Sequence, residues 1–74
     1  MYTYWVDYEY SYYYLEDGNW NYDFGGNGQR FQCRKKEIKK EIEKYLREEE
    51  FLGTEIKDVK IRIIDSYITT DYEV

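Results

Sequence analysis

A chain of 74 residues has room for one domain with a small core, which excludes a catalytic cleft backed by layers of supporting side chains. One cysteine and no histidine exclude an intramolecular disulfide and any histidine-containing zinc site. A net charge of −5 argues against general affinity for nucleic acid and favours a basic partner.

The first element is a strand over Tyr2 to Leu15. Its even positions are Tyr2, Tyr4, Val6, Tyr8, Tyr10, Tyr12 and Tyr14, which form one aromatic wall because side chains on a strand alternate faces. The opposite face carries Thr3, Trp5, Asp7, Glu9, Ser11, Tyr13 and Leu15. Small domains usually need a staple, and aromatic bulk or self-association is what replaces it in this sequence.

Asp17-Gly18 between alternating aromatic runs signals a hairpin, with the return strand beginning at Trp20. A two-residue turn would set Tyr13 opposite Tyr22 and Leu15 opposite Trp20, joining the return strand's aromatics to the mixed face. A three-residue Asp17-Gly18-Asn19 loop would set Tyr14 opposite Tyr22 and Tyr12 opposite Phe24, extending the aromatic wall. The second register is the expected one. Gly25-Gly26-Asn27-Gly28 then interrupts the pattern, and the apolar phase moves from even (Trp20, Tyr22, Phe24) to odd (Phe31, Cys33), so a bulge or second loop is expected there. A phosphate cradle is excluded because Gln29-Arg30-Phe31 follows the glycines in place of Gly-Lys-Ser/Thr. The alternating oxygens of Asp17, Asn19, Asn21 and Asp23 mimic a calcium loop but lack its glycine and its closing glutamate, positions held by Tyr22 and Gly28.

From about Lys35 the spacing of Ile38, Ile42, Tyr45 and Leu46 predicts a helix, stopped at Gly53. Lys36, Lys40, Lys44 and Arg47 lie opposite that apolar stripe, with Glu37, Glu41 and Glu48 beside them and Glu43–Arg47 as an i, i+4 pair. A basic ridge for nucleic acid is the functional reading. A solvated face laced with ion pairs is preferred, since no aromatic or amide side chain interleaves the lysines for base contacts. Cys33 reads as a small buried apolar residue with no base to activate it.

The last element is a strand from about Ile56 to Thr70, with Val59, Ile61, Ile63 and Tyr67 on one face and Lys60, Arg62, Ile64, Ser66 and Ile68 on the other. The order β-β-α-β therefore predicts a single α+β domain over residues 1–74. A crossover through the helix places the third strand beside the first, giving a three-stranded antiparallel sheet in the order 2-1-3 with the helix packed on the aromatic wall. One helix covers one face, so the face of Trp5, Asp7, Glu9 and Tyr13 is left open.

Charge is distributed in blocks: residues 1–29 hold five acids and no Lys or Arg, residues 30–47 eight basic residues and three acids, residues 48–74 three basic residues and eight acids. No basic-then-apolar leader opens the sequence and no stretch approaches the roughly 18 apolar residues of a membrane span, so a soluble protein of a reducing bacterial cytoplasm is expected. Asp7 and Glu9 lack a pocket that would make one of them an acid catalyst, and neither enzyme, cofactor nor metal is expected.

The closing run Val59-Lys60-Ile61-Arg62-Ile63-Ile64-Asp65-Ser66-Tyr67-Ile68-Thr69-Thr70-Asp71-Tyr72-Glu73-Val74, after a charged helix and a Tyr-rich strand, resembles small acidic proteins of phages and mobile elements, some of which are anti-CRISPRs. The resemblance implies a DNA-mimicking inhibitor that occupies a CRISPR effector or other nuclease where nucleic acid would bind. On this reading Asp7, Glu9, Glu16, Asp17 and Asp23 face a basic protein surface, with Trp5 and Tyr13 as apolar anchors. The alternatives are a nucleic-acid-binding module using Lys36, Lys40, Lys44 and Arg47, and a homodimeric structural protein.

Overall fold

The computed structural model describes residues 2–69. Strand β1 (Tyr2–Glu16) turns into β2 (Asn19–Cys33), a short 3-10 turn at Lys35–Glu37 leads into helix α1 (Ile38–Tyr45), a wider turn at Leu46–Glu50 extends it, and β3 (Ile56–Ile68) returns. The sheet order is β2-β1-β3 with both pairings antiparallel, so the first strand is central as expected. The end of the resembling run, residues 70–74, and the last residue of the expected final strand lie outside the described residues.

The helix lies on the even face of β1. Tyr4, Val6 and Tyr8 are buried there with Phe31, Cys33, Ile38, Ile42, Leu46 and Phe51. Arg34 N–H donates to the Glu37 carboxylate at 3.2 Å and Glu37 N–H to the Arg34 carbonyl at 2.8 Å, which anchors the start of the helical segment. At its end Phe51 N–H reaches the Leu46 carbonyl at 2.8 Å, and Gly53 takes the left-handed conformation, φ 78°, that stops the helix. Phe51 then packs on Tyr12 at 4.3 Å between ring centroids, carrying the core one step beyond the helix. The Tyr10 and Tyr12 rings stack at 6.0 Å, so the wall continues along the strand.

Burial pushes the Tyr8, Tyr10 and Tyr12 hydroxyls above their ordinary pKa. Tyr8 Oη donates to Gln29 Oε1 at 2.8 Å, so this buried hydroxyl is satisfied. Cys33 is buried, and desolvation raises its thiol pKa as well, so the basic residues that follow it in sequence do not activate it.

Three local expectations are corrected. The hairpin is closed by the two-residue Asp17-Gly18 turn, with φ 53° and 78°, and Tyr13 faces Tyr22 and Leu15 faces Trp20. Both turn residues have positive φ, the geometry that Asp-Gly favours and that matches the twist of the flanking strands. No bulge or loop interrupts β2 at its glycines, since the register with β1 runs unbroken from Asn19 to Cys33. The glycines instead seat rings of the neighbouring strand. A Cβ on Gly25 would stand 2.7 Å from Tyr10 Oη, and one on Gly28 would stand 2.8 Å from Trp5 Cζ2. The apolar phase change is real, but it reflects aromatics on the open face near the turn and apolar residues on the helix face near Cys33.

The irregularities lie in β3, where the register with β1 shifts between Asp7 and Tyr8 and between Ser11 and Tyr13. Asp58, at φ 55°, marks the second of these. The first leaves Ile64 without a partner and reverses the faces beyond it. Tyr67 therefore pairs with Trp5 on the open face, while Ser66 and Ile68 turn to the helix face, contrary to simple alternation.

A candidate protein-binding face

Because β1 is central, its odd residues and whatever the two registers set opposite them stand on the side away from the helix. Trp5, Asp7, Glu9, Ser11, Tyr13 and Leu15 of β1 are joined there by Trp20, Tyr22, Phe24 and Arg30 of β2 and by Lys57, Lys60, Arg62, Asp65 and Tyr67 of β3. Around the turn end the aromatics are contiguous: Tyr13 and Tyr22 lie 5.2 Å apart, Tyr22 and Phe24 6.3 Å. Lys57 Nζ sits 4.2 Å over the Trp20 ring, a cation–π contact between β3 and β2 across the face. These rings stay open to solvent, with 37% of Tyr13, 40% of Trp20, 57% of Tyr22 and 73% of Phe24 exposed. They form one exposed aromatic row on the uncovered side of the sheet. Beside it, Glu9, Ser11, Tyr22, Phe24, Lys60 and Arg62 line part of a shallow depression of about 380 Å³.

The polar groups on this face are engaged with one another. Arg62 Nη2 lies 2.6 Å from Glu9 Oε2, with Nε at 3.2 Å from the same oxygen. Trp5 Nε1–H donates to Asp7 Oδ1 at 3.2 Å. Asp7 faces Asp65 across the strands, a like-charge pair that the indole donor offsets. Asp7, Glu9 and Asp65 are thus set against Arg30, Lys57, Lys60 and Arg62, and the face is not acidic overall.

Acidic charge gathers instead along the long axis of a molecule measuring 48 × 21 × 17 Å. Glu16 and Asp17 form the turn end. Glu55 is tied there through its carbonyl, which accepts Leu15 N–H at 3.0 Å, and Asp58 lies nearby in β3. Asp23, in β2, points to the helix face, where it accepts Tyr12 Oη at 3.4 Å and the Phe24 N–H at 2.8 Å. Arg34, Lys35 and Lys36 occupy the other end, where the strand passes into the helix.

Among the acidic and aromatic residues singled out in the sequence, Trp5, Asp7, Glu9 and Tyr13 share the open face, Glu16 and Asp17 lie at its end, and Asp23 stands on the other side. Trp20, Tyr22, Phe24 and Tyr67 share this face without having been singled out from the sequence; the Asp-Gly turn chemistry was the signal for the first three. Lys36, Lys40, Lys44 and Arg47 are exposed on the outer side of the helical segment, where Arg47 Nη2 lies 2.9 Å from Glu43. Among the described residues no group of three or more His, Cys, Asp or Glu side chains is placed to hold a metal, and no helix is long and apolar enough to cross a membrane.

The domain is an open three-stranded sheet with one covering helix and an aromatic outer face. No protein-family model matches the chain, and neither the curated proteins nor the solved structures contain a significant match.

Proposed function

We propose that this chain is a binding protein without catalytic activity, an inhibitor of the phage type that docks on a nucleic-acid-directed host enzyme, such as a CRISPR effector or another nuclease, and keeps nucleic acid off it. The observation that carries this reading is the uncovered aromatic row Tyr13, Trp20, Tyr22 and Phe24. Aromatic side chains bury large area at the cost of few rotatable bonds, which is why they dominate the energetics of protein interfaces. The acidic turn end beside them, with Glu16 and Asp17, supplies long-range attraction toward the basic surface on which an enzyme holds nucleic acid. Trp5 and Tyr67 extend the same face toward its other end.

The test is a titration of the purified chain against a panel of host effectors and nucleases, reading binding of a labelled target nucleic acid. One member of the panel should lose its nucleic acid, and the triple variant W20A/Y22A/F24A should restore it by at least tenfold in inhibitor concentration while its circular dichroism still shows a folded chain. Inhibition of no member overturns the reading. So does a direct shift of DNA or RNA by the chain alone with a steep negative salt dependence, which would assign the work to Lys36, Lys40, Lys44 and Arg47.

A further inference from the structure

The two outer strands end the sheet in different ways. β3 breaks register twice and carries Lys57, Lys60 and Arg62 along its length, devices that discourage further strands from adding to an edge. β2 has no such bulge and a single basic residue, Arg30. Its 15 residues hold one register throughout and include neither proline nor lysine. The tight Asp17-Gly18 turn makes Glu16 and Asn19 a hydrogen-bonded pair. Alternation then commits the odd residues of β2 to β1, and the even ones from Trp20 to Gln32 turn their backbone N–H and C=O groups outward. Among the described residues no strand pairs with that edge. The Asp23 carboxylate takes the outward Phe24 N–H at 2.8 Å, a local stopgap on one of these donors.

We propose that a second copy of this chain pairs with the β2 edge, antiparallel, about a two-fold axis through Gly26, joining two sheets into one. Such an axis is perpendicular to the sheet and keeps like faces together, so residues facing one another across it must share parity. Gly26 is the midpoint of Asn19–Cys33, and centring there pairs the strand over its whole length. Phe24 then falls opposite Gly28 of the second copy, which has no side chain of its own and over which the Trp5 ring leans. Asn19 falls opposite Cys33, which brings the acidic turn of each copy, with Glu16 and Asp17, alongside Arg34 and Lys35 of the other. β2 itself carries one acid and one base, Asp23 and Arg30, so the seam adds no net repulsion between chains that each carry −5. This edge is separate from the open face, which stays uncovered in the pair.

Sedimentation equilibrium of the full chain, from micromolar to near-millimolar concentration, tests this. The mass should approach twice 9.3 kDa at the upper end and fall toward 9.3 kDa on dilution. A single-chain mass throughout, or a mass that climbs past two chains, overturns the proposal. Y22P removes one outward N–H without touching the β1 ladder and should weaken association at least tenfold. F24K, at a side chain 73% exposed, should do the same without altering the backbone, and its circular dichroism should match the parent. Y67K, on the open face away from this edge, should leave association intact. A dimer broken by Y67K and untouched by both F24K and Y22P forms through the face, and the edge assignment falls. Tyr22 and Phe24 also belong to the open face, so Q32P, which removes an outward N–H at an exposed position outside the aromatic row, separates the two proposals: it should weaken association at least tenfold and leave inhibition of the effector intact.

Discussion

Tyr8 and Tyr22 are the same residue on neighbouring strands of one sheet, and they do opposite things. Tyr8 is 1% exposed, beneath the helix and hydrogen-bonded to Gln29, whereas Tyr22 is 57% exposed, its ring tilted against those of Tyr13 and Phe24. The difference comes from parity together with a single two-residue turn. Even residues of β1 face the helix, and the turn pairs them with odd residues of β2, which sends Trp20, Tyr22 and Phe24 to the other side. A tyrosine-rich composition therefore supplies both the core of a short chain and an exposed aromatic surface. Neither could be assigned from composition alone.

The comparison breaks most visibly where the helix is thinned. Ile42 is fully buried between the helix and the aromatic wall, and Ile42→Ala should cost about 2–5 kcal/mol of stability from lost burial and the cavity left behind. In a domain this small that approaches the whole folding free energy. Denaturant unfolding by circular dichroism checks it. A loss near zero would mean that the helix does not seal the even face.

A smaller, pH-dependent effect separates the two faces further. Burial raises the pKa of Tyr8, Tyr10 and Tyr12 in the folded state, so these groups favour folding only while they are protonated. Their contribution is fully present below the ordinary tyrosine pKa of about 10 and is lost as pH rises above it. Stability should thus be level through neutral pH and decline from about pH 10 upward. Tyr8→Phe should flatten part of that decline.

Much of this division is legible in the sequence. The alternation over Tyr2 to Leu15 places the core on the even face, and the stripe of Ile38, Ile42, Tyr45 and Leu46 identifies what covers it. The β-β-α-β order then makes the first strand central and leaves Trp5, Asp7, Glu9 and Tyr13 open. The hairpin register was less legible because two cues conflict: extending the aromatic wall favours a three-residue loop, while Asp-Gly chemistry favours two. The turn's chemistry wins, since both of its residues adopt positive φ. The glycines of β2 look like a break because glycine weakens a strand, yet Tyr10 and Trp5 fill the space above Gly25 and Gly28. The register shifts of β3 leave no compositional trace, because a non-glycine residue, Asp58, takes the unusual conformation and Ile64 is an ordinary strand residue. Charge by sequence block suggests an acidic face. In three dimensions β3 brings Lys57, Lys60 and Arg62 onto that face, and the acidity remains at the turn end.

One paired measurement tests the division of the aromatics most directly. Tyr8→Ser and Tyr22→Ser make the same chemical change on the two faces, and urea unfolding of both reads the result on one scale. Tyr8→Ser should cost about 3–5 kcal/mol, and Tyr22→Ser should stay within about 0.5 kcal/mol of the parent. Equal losses, or a larger loss at Tyr22, would contradict the assignment of one face to the core and the other to solvent.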